Sequence, residues 1–314
     1  MRPPAYEGSS HDVLDSEVEK TEKAHIVASQ RRVYNGLYAS EERFSLAAYP
    51  MSFLDMRIRR ARQLLPADPS VLDLGCGSGS LVLRQHGFPS RCYVGIDLSW
   101  VGLARANKAL GARHSHCRFA QGHVELLPFR EESFEGLFAI SVIEHLPDPA
   151  GFLKDCARVL KRRGLLVLRT PNPENLLTAD GFLRLFFPRV YARRNSAVGH
   201  DHRRFIAPNA MRHLLRQHGF REPSTVYYTD TLVEWLWEHL VSPLMFTFVR
   251  RIAHARREYG DGVVDEVNGQ FALGSGVRLY NSMVFPILRL LCWPDRLIEL
   301  TGQSGGYFTI TRRW

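Results

Sequence analysis

Gly75, Gly77 and Gly79 stand two residues apart directly after the run Val71-Leu-Asp-Leu74, and an acid, Asp97, follows about twenty residues on. Glycines lack a Cβ, so this backbone can adopt positive φ and let a ligand lie against it. A helix opening near Ser80 would add amide donors and the positive end of its dipole. Asp97, at the end of Cys92-Tyr-Val-Gly-Ile-Asp97, stands where α/β nucleotide folds place a carboxylate against ribose hydroxyls. A dinucleotide fingerprint needs its third glycine at position 80, which is Ser80, and no Lys-Ser/Thr pair follows to make a P-loop. The loop reads as a cofactor loop of neither kind.

A second group is Ser141-Val-Ile-Glu-His145, at the carboxyl edge of a predicted strand, where open α/β sheets bind ligands. An imidazole with an ordinary pKa of about 6.5 takes protons at neutral pH, so His145 can deprotonate an acceptor hydroxyl; it can equally cap the next helix. His200, Asp201 and His202 form a third group, a base with an orienting carboxylate or a structural cluster. As a metal site the trio is weak, because His at i and i+2 share a face only on a strand. Arg203 and Arg204 beside it suit an anionic acceptor.

The elements that must hold these groups alternate. Strands are predicted near 71–75, 92–97, 116–121, 135–141 and 164–170, with helices near 79–86, 100–110 and 148–161. Such alternation predicts a parallel, doubly wound α/β sheet. Pro208 to Gly219 reads as another helix, with proline at its start and glycine at its end. A strand follows at 225–229, and the aromatic, β-branched run Gly306–Arg312 suits a terminal strand. Ahead of the sheet, Glu17 to Leu65 is patterned as helices. Tyr34, Leu37, Tyr38 and Phe44 offer aromatic and apolar faces, and Ile58, Ala61, Leu64 and Leu65 form a stripe that ends at Pro66.

VLDLGCGSG, YVGIDLS, GHVELLPF, FEGLFAISVIEHLPDP and RVLKRRGLLVLRTPN, taken in order, resemble successive motifs of class I S-adenosylmethionine-dependent methyltransferases, in the type 11, quinone-biosynthesis-like branch. The resemblance implies a Rossmann-like, seven-stranded sheet with a reversed last strand, and S-adenosylmethionine as cofactor. It implies that Asp73, Gly75, Cys76, Gly77 and Gly79 hold the methionine end, Asp97 the ribose and Leu98 one adenine face. Gly122, His123 and Val124 would flank the other side, with Ser141 and His145 facing the cleft and His202 on the acceptor side. Where the family usually has an acid to accept the adenine amino hydrogens, this chain has His123. Quinone-biosynthesis O-methyltransferases carry a metal-binding glutamate three residues before the Glu-His pair; Ser141 stands there, so no metal is expected.

The resemblance divides the chain into a cap (1–65), a core (66–230), an apolar helical insertion (231–304) and a closing strand (305–314). The insertion carries WLWEHLVSPLMFTFVRR and LYNSMVFPILRLLCW, apolar runs bordered by arginine. These suit a lid over a small or lipid-like acceptor, or a peripheral contact with a membrane. No run reaches the roughly twenty apolar residues of a spanning helix. The expected reaction is methyl transfer to a hydroxyl oxygen. RNA methylation and a non-catalytic scaffold are the alternatives.

Composition narrows the setting. The net charge of +9 lies in the second half, and beyond Lys161 every basic residue other than histidine is arginine. No RNA-binding module accompanies that excess, so no nucleic-acid partner is expected. Five cysteines are spread without a Cys-x-x-Cys pair, which argues against zinc and against a disulfide framework. That usage, with an N-terminus lacking the apolar segment of a signal peptide, predicts a cytoplasmic protein. No motif dictates an oligomeric state.

Overall fold

The computed structural model describes residues 27–36, 38–39, 53–84, 88, 90–110, 115–174, 179–197, 205–228, 264–267, 270–273, 282–283, 286–287, 290 and 306–314. Residues 27–36 are helical (α1). The order continues as α2 (Phe53–Arg62), β1 (Ser70–Leu74), α3 (Ser80–Arg84), β2 (Cys92–Asp97), α4 (Trp100–Leu110), β3 (Cys117–Gln121) and β4 (Phe134–Ile140). Then come α5 (Pro149–Val159), β5 (Leu160–Pro171), α6 (Ala179–Phe186), α7 (Pro188–Ala197), α8 (Pro208–Gln217) and β6 (Ser224–Tyr228). A hairpin of β7 (Val264–Val267) and β8 (Gln270–Leu273) precedes β9 (Gly306–Arg312).

The main sheet has seven strands in the order β3-β2-β1-β4-β5-β9-β6. Five of them, β1 to β5, run parallel, and β9 lies antiparallel between β5 and β6. This is the expected Rossmann-like α/β sheet with its reversed last strand. Strand alternation builds two cores. Leu166 and Leu168 of β5 face one side with Phe152 and Leu153 of α5 and Met211 and Leu215 of α8. Leu165 and Val167 face the other, with Ile58 and Ala61 of α2, Leu81 to Leu83 of α3 and Leu110 of α4. Both faces are covered, so the central strands are continuously apolar.

Local chemistry sets the boundaries. Asp148 caps α5, its carboxylate accepting the Gly151 amide at 2.9 Å, with Pro149 in the first turn. The helix ends at Val159, two residues before the predicted end, because β5 already starts at Leu160. Between the pairs Phe134↔Leu160 and Gly136↔Leu165 the register shifts, and Arg163 has φ 61°. Strand β5 thus starts four residues ahead of the predicted 164, and Lys161 to Gly164 form a bulge inside it. In the expected apolar stripe Ile58 and Ala61 are buried, but α2 stops at Arg62 and Leu64 is exposed. Within the segment expected as a helical insertion, the described residues include the β7–β8 hairpin beside short helical pieces at 286–287 and 290.

Candidate active site

The glycine loop forms where β1 ends and α3 begins. Gly75 has φ 71° and Gly77 φ 53°, in the left-handed region that favours glycine. A Cβ on Gly75 would meet Val142 Cγ2 at 2.6 Å, and one on Gly77 would collide with the Tyr38 hydroxyl. The Gly75 and Cys76 amides donate to the Ile96 carbonyl at 2.8 and 3.0 Å, which ties the loop to the end of β2. The Asp97 carboxylate accepts the Gly77 amide at 2.8 Å and the Ser99 amide at 2.7 Å. Burial nevertheless raises its pKa, and those amide donors hold the rise back. Asp97 is therefore both the brace of the loop and an acid on the cavity wall.

That cavity, of about 420 Å³, is bounded by Gly75, Cys76, Asp97, Leu98, His123 and Val124 at the carboxyl edges of β1 to β3. Ser141, Val142, His145 and Leu146, just past β4, bound it further. Gln30, Tyr34 and Tyr38 cover it from α1 and the residues after it. Gln30 donates to the His145 carbonyl, the Tyr34 ring meets the His145 ring edge-on at 5.7 Å, and Ser99 Oγ donates to Asn35 Oδ1 at 2.7 Å. Burial, and then the charges on Glu144 and Asp97, push the Tyr34 phenol well above its usual range, so it stays protonated. His145 ends a short 3-10 turn, Ile143–His145, its amide donating to the Val142 carbonyl at 2.9 Å. Ser141 has φ 57°; its amide donates to the Arg169 carbonyl at 2.9 Å, and its hydroxyl accepts from the Arg169 guanidinium.

The structure brings Gly75, Cys76, Asp97, Leu98, His123, Val124, Ser141 and His145 to one cavity. Other expected residues stand back from it. Asp73 borders an adjoining cavity of about 80 Å³ with Asp55, and the Tyr93 hydroxyl donates to its carboxyl. Burial lifts Asp73 to about 7, with Tyr93 opposing and Asp97 adding to the rise. A Cβ on Gly79 would meet Leu110 and Ala106 of α4, and one on Gly122 would meet Ile96, so both glycines serve packing. Gly77 touches the site through Tyr38. His202, with His200 and Asp201, lies outside the described residues. Among the described residues no group of three or more His, Cys, Asp or Glu side chains is arranged to hold a metal.

Sequence reasoning missed Gln30, Leu54, Val142, Leu146 and Arg169. Gln30 reaches its partner across 115 positions, and Arg169 reaches Ser141 across 28, so no local spacing marks either.

Comparison with known proteins follows the same outline. Residues 72–168 match the family model for a methyltransferase domain. Over 170 residues the chain is 28% identical to ubiquinone biosynthesis O-methyltransferase of Nitrosomonas europaea, an overlap of 52% of this chain and 68% of that protein. The Neisseria meningitidis protein of the same name is 31% identical over 157 residues, 48% of this chain and 62% of the relative. Among solved structures, a methyltransferase from Thermotoga maritima described as a possible histamine N-methyltransferase aligns with a TM-score of 0.50 at 16% identity. It covers 90% of this chain and 99% of that one. Phosphoethanolamine N-methyltransferase 2 of Haemonchus contortus, solved with S-adenosyl-L-methionine, gives 0.51 at 15%, covering 84% of this chain and 53% of that one. At such identities the structures share the fold.

Proposed function

We propose that this chain, which carries a class I S-adenosylmethionine-dependent methyltransferase domain, methylates a hydroxyl oxygen of a small, largely apolar acceptor. The observation that carries this reading is the shared cavity: the glycine loop and Asp97 border the same space as His145. The left-handed glycines and the braced acid fit the donor, whose sulfonium supplies an electrophilic methyl carbon. Gly75, Cys76 and Gly77 would hold its methionine end, Asp97 the ribose and Leu98, His123 and Val124 the adenine.

Displacement at a sulfonium needs alignment and exclusion of water more than covalent help. Tyr34 of α1 and Tyr38 just after it cover the cavity, and Val142 and Leu146 line it with hydrocarbon. The His145 imidazole takes the acceptor's hydroxyl proton as the oxygen–carbon bond forms and the carbon–sulfur bond breaks, leaving S-adenosylhomocysteine. Tyr34 packs its edge against that imidazole and fixes its plane.

An apolar acceptor is supported by the surface as well. Phe182, Leu185 and Phe186 of α6, Phe187 between the helices and Val190 of α7 are all exposed, with the Phe182 and Phe186 rings 4.7 Å apart. Between Asp180 and Asp201 the sequence has four arginines and no acid. Aromatic residues with arginine margins suit the headgroup region of an anionic bilayer, from which a lipid-like acceptor would be drawn. In the insertion, Met283, Ile287 and Leu290 are exposed at helical spacing and support the same contact. No helix among the described residues is long and apolar enough to cross a membrane.

The test pairs titration calorimetry of S-adenosylhomocysteine with turnover of S-adenosylmethionine against a panel of phenols and catechols. His145→Gln is expected to keep cofactor affinity within about threefold and to lose about a hundredfold or more in kcat, the range of a removed general base. Full turnover in that variant would end the role of His145. No binding by the wild type would end the reading as a whole.

A further inference from the structure

The N-terminal helix is fastened on both sides of the cavity that it covers. On one side Gln30 donates to the His145 carbonyl and Tyr34 packs edge-on against the His145 ring. Tyr38, in a helical position just past α1, follows Tyr34 by one turn, so residues 30, 34 and 38 share a helical face. Its ring meets the donor loop on the other side. Gly77 and Gly102 leave a notch there. A Cβ on Gly77 would come within 2.9 Å of Tyr38 Cζ, and one on Gly102 within 3.1 Å of both Tyr38 Cδ2 and the Gly77 carbonyl. Glycine is a poor helix former, yet Gly102 is the third residue of α4, and buried. The notch accounts for it.

A chain of hydrogen bonds joins the same end of α1 to the cofactor acid. Asn35 Oδ1 accepts the hydroxyl of Ser99, a wholly buried residue, at 2.7 Å. Ser99 Oγ accepts the Gly102 amide at 3.2 Å, and the Ser99 amide donates to Asp97 at 2.7 Å. The other Asp97 oxygen accepts the Gly77 amide at 2.8 Å. Asn35 and Tyr38 therefore grip the loop and the start of α4, the two pieces that Asp97 braces. We propose that Asn35 and Tyr38 are positioning residues that gate the donor site: they hold α1 shut against the donor loop, and S-adenosylhomocysteine leaves only when both let go. The same movement takes Gln30 and Tyr34 off His145, so exchange of the donor and uncovering of the base occur together. The proposal rests on S-adenosylmethionine being the donor, and adds what controls its exchange.

The experiment follows dissociation of labelled S-adenosylhomocysteine chased with an unlabelled excess, and amide hydrogen exchange over residues 27–36. Tyr38→Ala is expected to raise the dissociation rate about tenfold and Asn35→Ala about threefold, with association no slower than in the wild type. Tyr38→Phe keeps the ring in its notch and should stay within about twofold of the wild type. Alanine is the best helix former, so Asn35→Ala keeps α1. Bound S-adenosylhomocysteine should slow exchange over 27–36 in the wild type, and slow it less in Tyr38→Ala at saturating ligand. Wild-type dissociation rates in both alanine variants, with only a lower melting temperature, would reduce the two residues to packing and overturn the proposal. A loss of affinity carried by slower association alone would overturn it too. Wild type that binds S-adenosylhomocysteine without any change in exchange over 27–36 removes the gate alone; wild type that binds none removes the cofactor reading and the gate with it.

Discussion

Glu144 sits between the two residues that matter most at the end of β4, Ser141 and His145, yet it faces away from water altogether. It is fully buried, with the Thr170 hydroxyl and the Arg169 charge beside its carboxyl. Burial lifts its pKa from 4.5 to about 7, against the pull of the Arg169 charge. The folded state therefore keeps a proton that the unfolded chain releases. Stability is undiminished below the unfolded value of 4.5, falls as pH rises toward 7, and stays reduced above it. Glu144→Gln should accordingly raise the melting temperature at pH 8, with a gain on the order of 2–3 kcal/mol, and change little at pH 4. Thermal melts at the two pH values check this; an equal gain at both would mean that the carboxyl does not titrate between them. Glu144 also raises Tyr34, so the residue beneath the cavity floor and the phenol above it share one electrostatic environment.

At the scale of elements, α1 and the α6–α7 pair do opposite things with apolar surface. The first turns Tyr34 into the cavity; the second leaves Phe186 and Phe187 in solvent. Such a cluster on one helical pair marks a surface that something covers. The double variant Phe186→Asp, Phe187→Asp should lose co-sedimentation with vesicles of anionic phospholipid while S-adenosylhomocysteine affinity is retained. Undiminished sedimentation would exclude this surface as the contact. Tyr191 of α7 is buried, in contrast, and keeps the pair anchored on the protein. The amphipathic pattern of Pro208–Gln217 could be read in advance, since Met211 and Leu215 fall on one helical face and both are buried. The exposed face of α6–α7 could not, because a run of Phe and Leu looks the same whether it is covered or bare.

For the whole molecule, the last strand closes the fold. β9 pairs with both β5 and β6, and Tyr307, Phe308 and Thr309 are almost wholly buried. Ending the chain at residue 305 should abolish the cooperative thermal transition, because β5 loses its partner and β6 its attachment. A truncated chain that still melted cooperatively and bound S-adenosylhomocysteine would show that β1–β5 stand alone. Much of this architecture was legible beforehand. Buried parallel strands must be continuously apolar, and glycines that need positive φ admit few substitutes, so Val71 to Gly79 and Asp97 disclose fold and cofactor together. Strand ends were less legible, as the early start of β5 shows, since Arg163 and Gly164 exchange backbone hydrogen bonds with Arg313, 149 or more positions away. Sequence alone determined the order of the strands and helices from β1 to β5, the donor loop and the placing of His145 at a strand end, because these follow from periodicity and from residue types within a few positions of each other. Tertiary structure alone decided that Asp73 and Gly79 stand back from the cavity, and that Gln30 meets the His145 carbonyl across 115 positions. Those outcomes depend on which distant side chains meet, and contact across a hundred residues leaves no local pattern to read.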